Sequence, residues 1–325
     1  MEKQNLVHLA AMQNLQHMSI AIHVELSESP ALPISPQDHL PFHKLETLML
    51  DVSYLEHATS CLTVLEPQTL QRFRLVAPMW QDETVLERCF KALTKQRLLR
   101  EISICVSARS NGFMFTPAHL VPTCTMSTHA ISTLFSLPDI RMLSISANDH
   151  ARFETDLGDT GIRAMASAWP HLRSLTVVQG PPPPRGVQLP AAQTTMGSLL
   201  ALRDGCPDLS GLSISLDTTA FDHAILQAAV LPVAGVGGAA LRKLNIGARS
   251  TPVSNHSFAA QVLHGLFPNL RSIHDGESVA WDQQSSDWQE VGAILRKLTQ
   301  TPSLGPVDED DGDFSDISSE DALEL

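Results

Sequence analysis

The sequence predicts an α/β solenoid: a horseshoe of about nine irregular repeats, with parallel strands on the concave face and helices on the convex face. Three observations predict it. A short phrase of alternating leucines recurs, a helical pattern precedes most copies, and a proline commonly separates the two. The chain has 325 residues. This exceeds the roughly 250–300 residues at which one compact core stops growing, so two domains or a stacked array are favoured.

The recurring phrase has the form Leu-x-x-Leu-x-Leu, with Ile or Val also found at the apolar positions. Its nine copies begin at Leu15, Leu45, Leu70, Leu99, Ile140, Leu172, Leu209, Leu241 and Leu270. The intervals between them are 30, 25, 29, 41, 32, 37, 32 and 29 residues. Such self-similarity is typical of repeats that bury their apolar faces only against their neighbours.

Each phrase predicts a short strand, because alternating apolar residues such as Leu175 and Val177 have the period of a half-buried strand. Pro170, between helix and strand, cannot continue the helix and favours an extended residue before it. A helix-bearing crossover separates successive strands, so these must run parallel.

A helix is predicted before most strands. In DTGIRAMASAWP the apolar residues fall at i, i+3, i+4 and i+7, and Asp159 or Thr160 is placed to cap the N-terminus. In TTMGSLLALRDGCP, Gly205 followed by Pro207 stops the helix. The predicted buried stripes are Ile162, Met165, Ala166 and Trp169; Met196, Leu199, Leu200 and the stem of Arg203; Val85, Leu86, Cys89, Phe90 and Leu93; and Phe258, Val262, Leu263 and Leu266.

The residue between the last two apolar anchors of each phrase projects away from the core, so these residues are predicted to line the concave surface. At this position stand Ser19, Met49, Arg74, Ser103, Ser144, Thr176, Ser213, Asn245 and His274. Six of the nine are Ser, Thr or Asn. Small polar side chains suit the crowded inside of a tight curve, and direct contact with a ligand is the alternative explanation. The candidate protein-binding face consists of Arg74, Ser103, Ser144, Thr176, Ser213, Asn245 and His274.

The solenoid is predicted to occupy residues 1–300, and residues 285–300 to form the helix that closes the stack. Ser286 and Gln289 have the spacing of a capping box at its start, and Trp288, Val291, Ile294, Leu295 and Leu298 share one face. Residues 301–325 are predicted to be a disordered acidic tail. Ser315, Ser318 and Ser319 within it suit an acidophilic kinase, and a merely solubilising tail is the alternative.

The formal charge of −13 is unevenly placed: from Asp308 onward there are nine acidic residues and no basic one. The rest of the chain holds 22 basic and 26 acidic residues, so no basic bias suggests a nucleic-acid partner. Five cysteines without a Cys-x-x-Cys pair predict buried free thiols in a reducing compartment. The uncharged run at residues 224–241 is interrupted by Pro and Gly, so a helix and loop are predicted rather than a membrane span. We expect a cytoplasmic or nuclear protein.

No motif predicts catalysis, a cofactor or a metal. The glycine-rich AGVGGAAL lacks the Lys-Ser/Thr of a phosphate-binding loop, and Pro41 separates His39 from His43. The leading hypothesis is therefore a non-catalytic protein-binding module. The alternatives are a regulatory or decoy scaffold of the same fold and, least favoured, an enzyme whose site is built from distant loops.

The phrases WPHLRSLTVV, CPDLSGLSIS and FPNLRSIHDG, with DTGIRAMASAWP ahead of the first, resemble the leucine-rich-repeat region of fungal F-box proteins. This resemblance implies a horseshoe that captures a target protein as the substrate-recognition part of an SCF-type ubiquitin ligase. In that family an N-terminal F-box recruits the Skp1 and cullin subunits. No Leu-Pro-x-Glu phrase of an F-box precedes the repeats, because LQHMSI already begins at Leu15. Either the module has been lost or the chain is a shortened version of a longer product, so these subunits are expected only if an F-box lies upstream.

Overall fold

The computed structural model describes residues 8–12, 14–22, 42–78, 83–107, 123–147, 152–178, 192–219, 240–247, 250–275 and 284–299. Its strands are β1 (His17–Ile22), β2 (Thr47–Val52), β3 (Arg72–Pro78), β4 (Glu101–Ser107), β5 (Thr123–Met126), β6 (Met142–Ala147), β7 (Arg152–Thr155), β8 (Ser174–Val178), β9 (Gly211–Ile214), β10 (Lys243–Ile246) and β11 (Ser272–Asp275). The helices are α1 (Leu55–Leu65), α2 (Glu83–Leu93), α3 (Thr128–Ser132), α4 (Asp159–Ala168), α5 (Met196–Gly205), α6 (His256–Leu266) and α7 (Gln284–Thr299). A 3₁₀ turn, Thr133–Ser136, follows α3.

Nine of these strands form one sheet in the order β1-β2-β3-β4-β6-β8-β9-β10-β11, and every pairing is parallel. All nine begin within a Leu-x-x-Leu-x-Leu phrase, and neighbouring phrases pair without a register shift, as in Leu143 with Leu175. The mixed α/β class and the parallel strand direction predicted from the sequence are therefore confirmed.

Backbone hydrogen bonds extend this register to the residue before each strand. The carbonyl oxygen of Arg100, for example, accepts from the backbone N–H groups of both Arg141 (2.7 Å) and Met142 (3.1 Å). The same paired acceptance recurs from Gln16 at β1 to Arg242 at β10. Each strand thus takes its position from the backbone of the strand before it.

The apolar residues of the strands and helices form one buried cluster, which lies on a single face of the sheet. Leu143, Leu175 and Leu212 are neighbours in it, and consecutive helices contact one another beside it. The predicted stripe of α2 is fully buried, and so is that of α4 together with Trp169. In the α5 and α6 stripes, Leu200 and Phe258 are only half-buried.

Proline marks the same turn between helix and strand in several repeats. The residue before Pro170, Trp169, ends α4 with its N–H bonded to the Met165 carbonyl, and the N–H of Leu172 then bonds to the Trp169 carbonyl at 3.1 Å. Cys206 before Pro207 and Phe267 before Pro268 make equivalent bonds. The anchor leucine of each phrase thereby closes the turn that starts the strand.

Two predicted helix starts are wrong. The N-cap of α4 is Gly158 and makes no side-chain bond, while Asp159 lies inside the helix and accepts a hydrogen bond from the N–H of Thr195, the N-cap of the next helix. Helix α7 begins at Gln284, so Ser286 lies within it and does not start a capping box. In both cases a local pattern gave way to contacts with a neighbouring repeat or to extension of the helix.

Several sequence predictions fall outside the described residues. They concern the acidic tail at 301–325, His39, and the uncharged run at 224–241, of which only residues 240 and 241 are described. Within the described ranges, no helix is long and apolar enough to cross a membrane.

Candidate protein-binding face

The candidate residues predicted from the sequence all lie on one row of the sheet. Register pairs join each of them to the next, from Arg74 through Ser103, Ser144, Thr176, Ser213 and Asn245 to His274. Ser19 and Met49 extend the row to β1. We call these nine residues the middle row. Their flanking residues in each strand are mostly buried, so the middle row lies on the face opposite the helices, here called the open face.

Two further rows share the open face, because side chains two positions apart in a strand point the same way. The first row, at the start of the strands, is His17, Thr47, Arg72, Glu101, Met142, Ser174, Gly211, Lys243 and Ser272. The last row is Ala21, Asp51, Val76, Cys105, Ser146 and Val178. Neither row belongs to the candidate face predicted from the sequence, although the same phrases contain these residues two positions before and after the middle position.

Side-chain size divides the open face into a centre and two ends. Over β6, β8 and β9 most side chains are small and neutral: Ser144, Ser146, Ser174, Thr176 and Ser213, with Gly211 at the start of β9. A Cβ atom on Gly211 would touch only Ser174 Oγ, at 3.6 Å. The ends carry longer groups, with Arg72 and Arg74 on β3 and Lys243, Asn245 and His274 on β10 and β11. Small neutral side chains on β6, β8 and β9 thus lie between longer polar side chains on β3 and on β10 and β11; we call the first group the trough and the other two its rims.

Unsatisfied polar atoms lie on both rims. Arg74 Nε and Asn245 Oδ1 have no hydrogen-bond partner among the described residues, and each is closed off from solvent. Thr47 Oγ1, in the first row, likewise has no hydrogen-bond partner among the described residues and no contact with solvent. An unpaired buried polar group costs about 1–3 kcal/mol.

Exposure differs along the middle row. Ser19 and His274, at its two ends, are exposed, and the seven residues between them are half-buried by their neighbours on the same face. Half-burial of these seven residues is compatible with close packing of small polar side chains, the first explanation offered by the sequence. Both explanations remain compatible, because half-buried hydroxyl groups are still reachable from the open side.

Four of the five cysteines belong to the core, not to the open face. Burial raises the pKa of the Cys61, Cys89 and Cys206 thiols to about 12, and Cys124 is also buried. All five are free thiols, as predicted. Cys105 departs from the prediction of full burial, since it is half-buried and lies in the last row.

No group of three or more His, Cys, Asp or Glu side chains suited to a metal ion occurs within the described ranges. One small cavity lies beside the end of β8, lined by Leu157, Val177, Thr194, Ile214 and Ser215 among others. Its volume of about 10 Å³ is the space of one water molecule. Thr194 Oγ1 donates to the Ser215 carbonyl beside it, which ties the loop before α5 to β9. This cavity is a packing defect at the edge of the core.

The open face thus presents three rows of side chains in register across the described sheet. The chain matches no family model, and a search of curated proteins finds no match.

Proposed function

We propose that this chain is a non-catalytic protein-binding module of the leucine-rich-repeat horseshoe type, whose open face and adjoining loops hold a partner protein. The observation that carries the proposal is the unbroken middle row, nine side chains in register on the face opposite the helices. Repeat arrays of this kind commonly bind through the extended surface that their stacking creates.

The dimensions of the open face favour a protein over a small molecule. Nine strands about 4.8 Å apart span roughly 38 Å, and three rows along the strands span roughly 13 Å, which gives on the order of 500 Å². A specific interface usually buries about 800 Å² on each partner. The open face therefore supplies over half of such an interface, and loops at the strand ends supply the remainder.

The resemblance to the repeat region of fungal F-box proteins supports a more specific form of the proposal. In that form the captured partner is a target for degradation, and the chain is the substrate-recognition part of an SCF-type ubiquitin ligase. The alternative is a ligase-independent scaffold or decoy that binds a protein through the same face. The two forms differ only in whether the chain also recruits Skp1 and cullin, which requires an F-box.

The open face is tested by a triple variant, Arg74→Glu, Ser144→Trp and Thr176→Trp, which reverses one rim charge and fills the trough. Affinity capture from cells with quantitative mass spectrometry is expected to lose specific partners at least about tenfold, as hot-spot disruption does. The melting temperature should not change, because all three side chains lie outside the core. Equal capture by the variant and the native chain would remove the open face from consideration.

A matched control carries the same kinds of change on exposed helix positions: Arg88→Glu, Ala164→Trp and Ser257→Trp. This control should capture the native set of partners. Recovery of Skp1-like and cullin subunits together with face-dependent partners favours the ligase form. Face-dependent partners without those subunits favour the scaffold.

A further inference from the structure

A column of arginines runs along the edge of the sheet where the strands begin. It occupies the second position of the Leu-x-x-Leu-x-Leu phrase, directly before the strands. Its members are Arg100, Arg141 and Arg173 before β4, β6 and β8, then Arg242 and Arg271 before β10 and β11. Ser210 takes the position between them, and Gln16, Glu46 and Gln71 take it at β1 to β3. We call the five residues the arginine column.

The backbone fixes the spacing of this column. The N–H of Arg141 bonds to the Arg100 carbonyl at 2.7 Å, and the N–H of Arg173 bonds to the Arg141 carbonyl at 2.7 Å. Ser210, Arg242 and Arg271 continue the chain of bonds at 2.8–3.0 Å. With strands about 4.8 Å apart, the column from Arg100 to Arg271 spans about 24 Å.

These guanidinium groups are not neutralised by the fold. Four of the five residues are exposed and Arg141 is half-buried. Across the described part of the chain, none of the five has a side-chain hydrogen bond or an ion pair, although other arginines do, such as Arg203 with Asp204 at 2.7 Å. Like charges on adjacent strands repel one another. A column of unpaired cations in a chain of net charge −13 is therefore a site for an anionic partner.

The described structure ends next to this column. His256 is the first residue of α6. Its Nε2 lies 3.3 Å from Asp287 Oδ1 and its Nδ1 lies 3.2 Å from Glu290 Oε2, both in α7, so the N-terminal ends of the two helices adjoin. The two helices contact each other. Since their N-terminal ends adjoin, they run side by side in the same direction. Helix α6 leads through a short turn into β11, so its C-terminus lies at the edge where Arg271 stands. Thr299, the end of α7, is therefore at that same edge.

We propose that the acidic segment of this chain, residues 308–325, binds along the arginine column. The segment contains nine acidic residues and no basic one. The eight residues from 300 to 307 reach at most about 29 Å, and 18 residues extend to about 60 Å, which exceeds the 24 Å of the column. At this position of the phrase, the basic residues are confined to β4, β6, β8, β10 and β11, on the side of the sheet nearest Thr299, whereas Gln16, Glu46 and Gln71 occupy it at β1 to β3. Lys44 and Arg72, which are exposed at the starts of β2 and β3, lie outside the column.

Binding of the acidic segment at this edge places it beside the first row of the open face. It would compete with any partner that reaches the open face from the side where the strands begin. The inference does not depend on the proposed function, because the column and the segment belong to the same chain.

The test uses the full chain in two forms, the native sequence and a form whose nine acidic residues in 308–325 are changed to Asn or Gln. A fluorescent peptide of native sequence 308–325 should bind the neutralised form. It should bind the native chain at least about tenfold more weakly, because a tethered segment competes at millimolar effective concentration. Raising the salt from about 50 to about 300 mM should weaken binding, as expected for exposed charges. Equal binding to both forms would overturn the proposal, and so would no binding to either.

The position of the site is tested in the neutralised form. Arg100→Gln, Arg173→Gln and Arg242→Gln together should abolish peptide binding, while Arg88→Gln, Lys91→Gln and Arg163→Gln on exposed helix surfaces should leave it unchanged. Replacement of the three column arginines by lysine should retain most of the binding and shows that the sites tolerate substitution. Loss in the helix variant, or retention in the column glutamine variant, assigns the peptide to another surface. An oligonucleotide that binds the arginine column of the native chain, and that the peptide does not displace, would also contradict the assignment.

Discussion

At the scale of the residue, a single step along a strand separates the core from the open face. Leu175 and Val177 are 0% and 3% exposed, and Thr176 between them lies in the middle row. Leu175 pairs in register with Leu143 and Leu212, so it is shared by three repeats. The same phrase therefore specifies packing and surface chemistry without either constraining the other.

Leu175→Ala should lower the free energy of unfolding by about 2–5 kcal/mol, because the cavity it leaves lies between repeats that cannot collapse around it. Urea unfolding followed by circular dichroism measures the change. Thr176→Ala, one residue away on the open face, is the control and should cost under about 1 kcal/mol. Similar losses at the two positions would mean that the alternation does not separate core from surface.

The sequence predicted this division well because it depends only on a period of two along the chain. It did not predict that Asp159 bonds to Thr195, the N-cap of α5. Asp159 lies 36 positions from Thr195, and no local pattern reports a contact over that separation. Cys105 was likewise expected to be buried with the other thiols, yet its place in the last row leaves it half-buried.

At the scale of the element, carboxylates link successive helices at their N-terminal ends. Asp159 of α4 accepts hydrogen bonds from the backbone N–H of Thr195 (2.7 Å), the Thr195 hydroxyl (2.6 Å) and the Ser198 hydroxyl (2.5 Å). Thr195 is the N-cap of α5 and in turn accepts from Gly197 N–H at 3.0 Å. At α3, Glu83 of α2 accepts from the N–H of Ser127 in the same manner.

These links fix one helix against the next where the turns between helix and strand do not reach. At the opposite end of α5, Gly205 makes the close approach, since a Cβ atom there would lie 2.8 Å from Ala166 Cβ. Polar bonds at one end and a glycine contact at the other thus set the packing of α4 against α5.

Asp159→Ala should cost about 1–3 kcal/mol, because it removes the carboxylate that accepts from the Thr195 N–H and from the hydroxyls of Thr195 and Ser198. Hydrogen exchange should show the loss at the amides of Thr195 to Leu199 before it shows elsewhere. Asp139→Ala is the matched control, since Asp139 is exposed and lies in a turn between α3 and β6. An unchanged α5 in the Asp159 variant would mean that the three hydrogen bonds add no net stability.

The strands that lie within a Leu-x-x-Leu-x-Leu phrase were predicted, and the two strands outside any phrase were not. Each strand of the nine-stranded sheet carries the apolar anchors of its phrase. β5 and β7, of four residues each, carry none and pair only with one another. β9, β10 and β11 are equally short, but each lies within a phrase whose anchors extend the alternation. Without those anchors, four residues give too little alternation to separate a strand from a loop. Their pairing depends on the distance between two loops in space, which composition alone does not specify.

At the scale of the whole molecule, a stack of repeats has two ends, and each needs cover for its last apolar surface. At one end Leu9, Ala10 and Leu15 pack against the core beside β1. At the other, α7 lies against β11, with Trp288 only 2% exposed and Gly292 close to Ile273. A helix lies where the closing helix was predicted, and it begins at Gln284, one residue before the predicted range of 285–300.

Trp288→Ala should destabilise the chain by about 3–5 kcal/mol, because it removes the largest side chain of the closing helix from the core. Nearest-neighbour coupling predicts that the damage is local, so hydrogen exchange should quicken in α6, β10 and β11 before β3 and β4. Leu298→Ala is the control, since Leu298 is 38% exposed. Uniform exchange along the sheet would show that the stack unfolds as one unit.

The repeated arginines of the arginine column are also present in the sequence, but the sequence alone does not show that they adjoin. The second position of the phrase reads Arg in LREISI, IRMLSI, LRSLTV, LRKLNI and LRSIHD. Taken one at a time these arginines are ordinary solvent-exposed residues. Only the sheet register shows that they adjoin, because adjacency in space depends on the strands between them being in phase.

The ladder of paired backbone bonds has a consequence for how such a chain changes over generations. Repeats separated by 25 residues and by 41 residues arrive at the same strand register. Insertions and deletions between the end of one strand and the next phrase therefore leave the ladder where it was. The helices in these segments pack on the core, so changes in length are best tolerated in the loops that flank them.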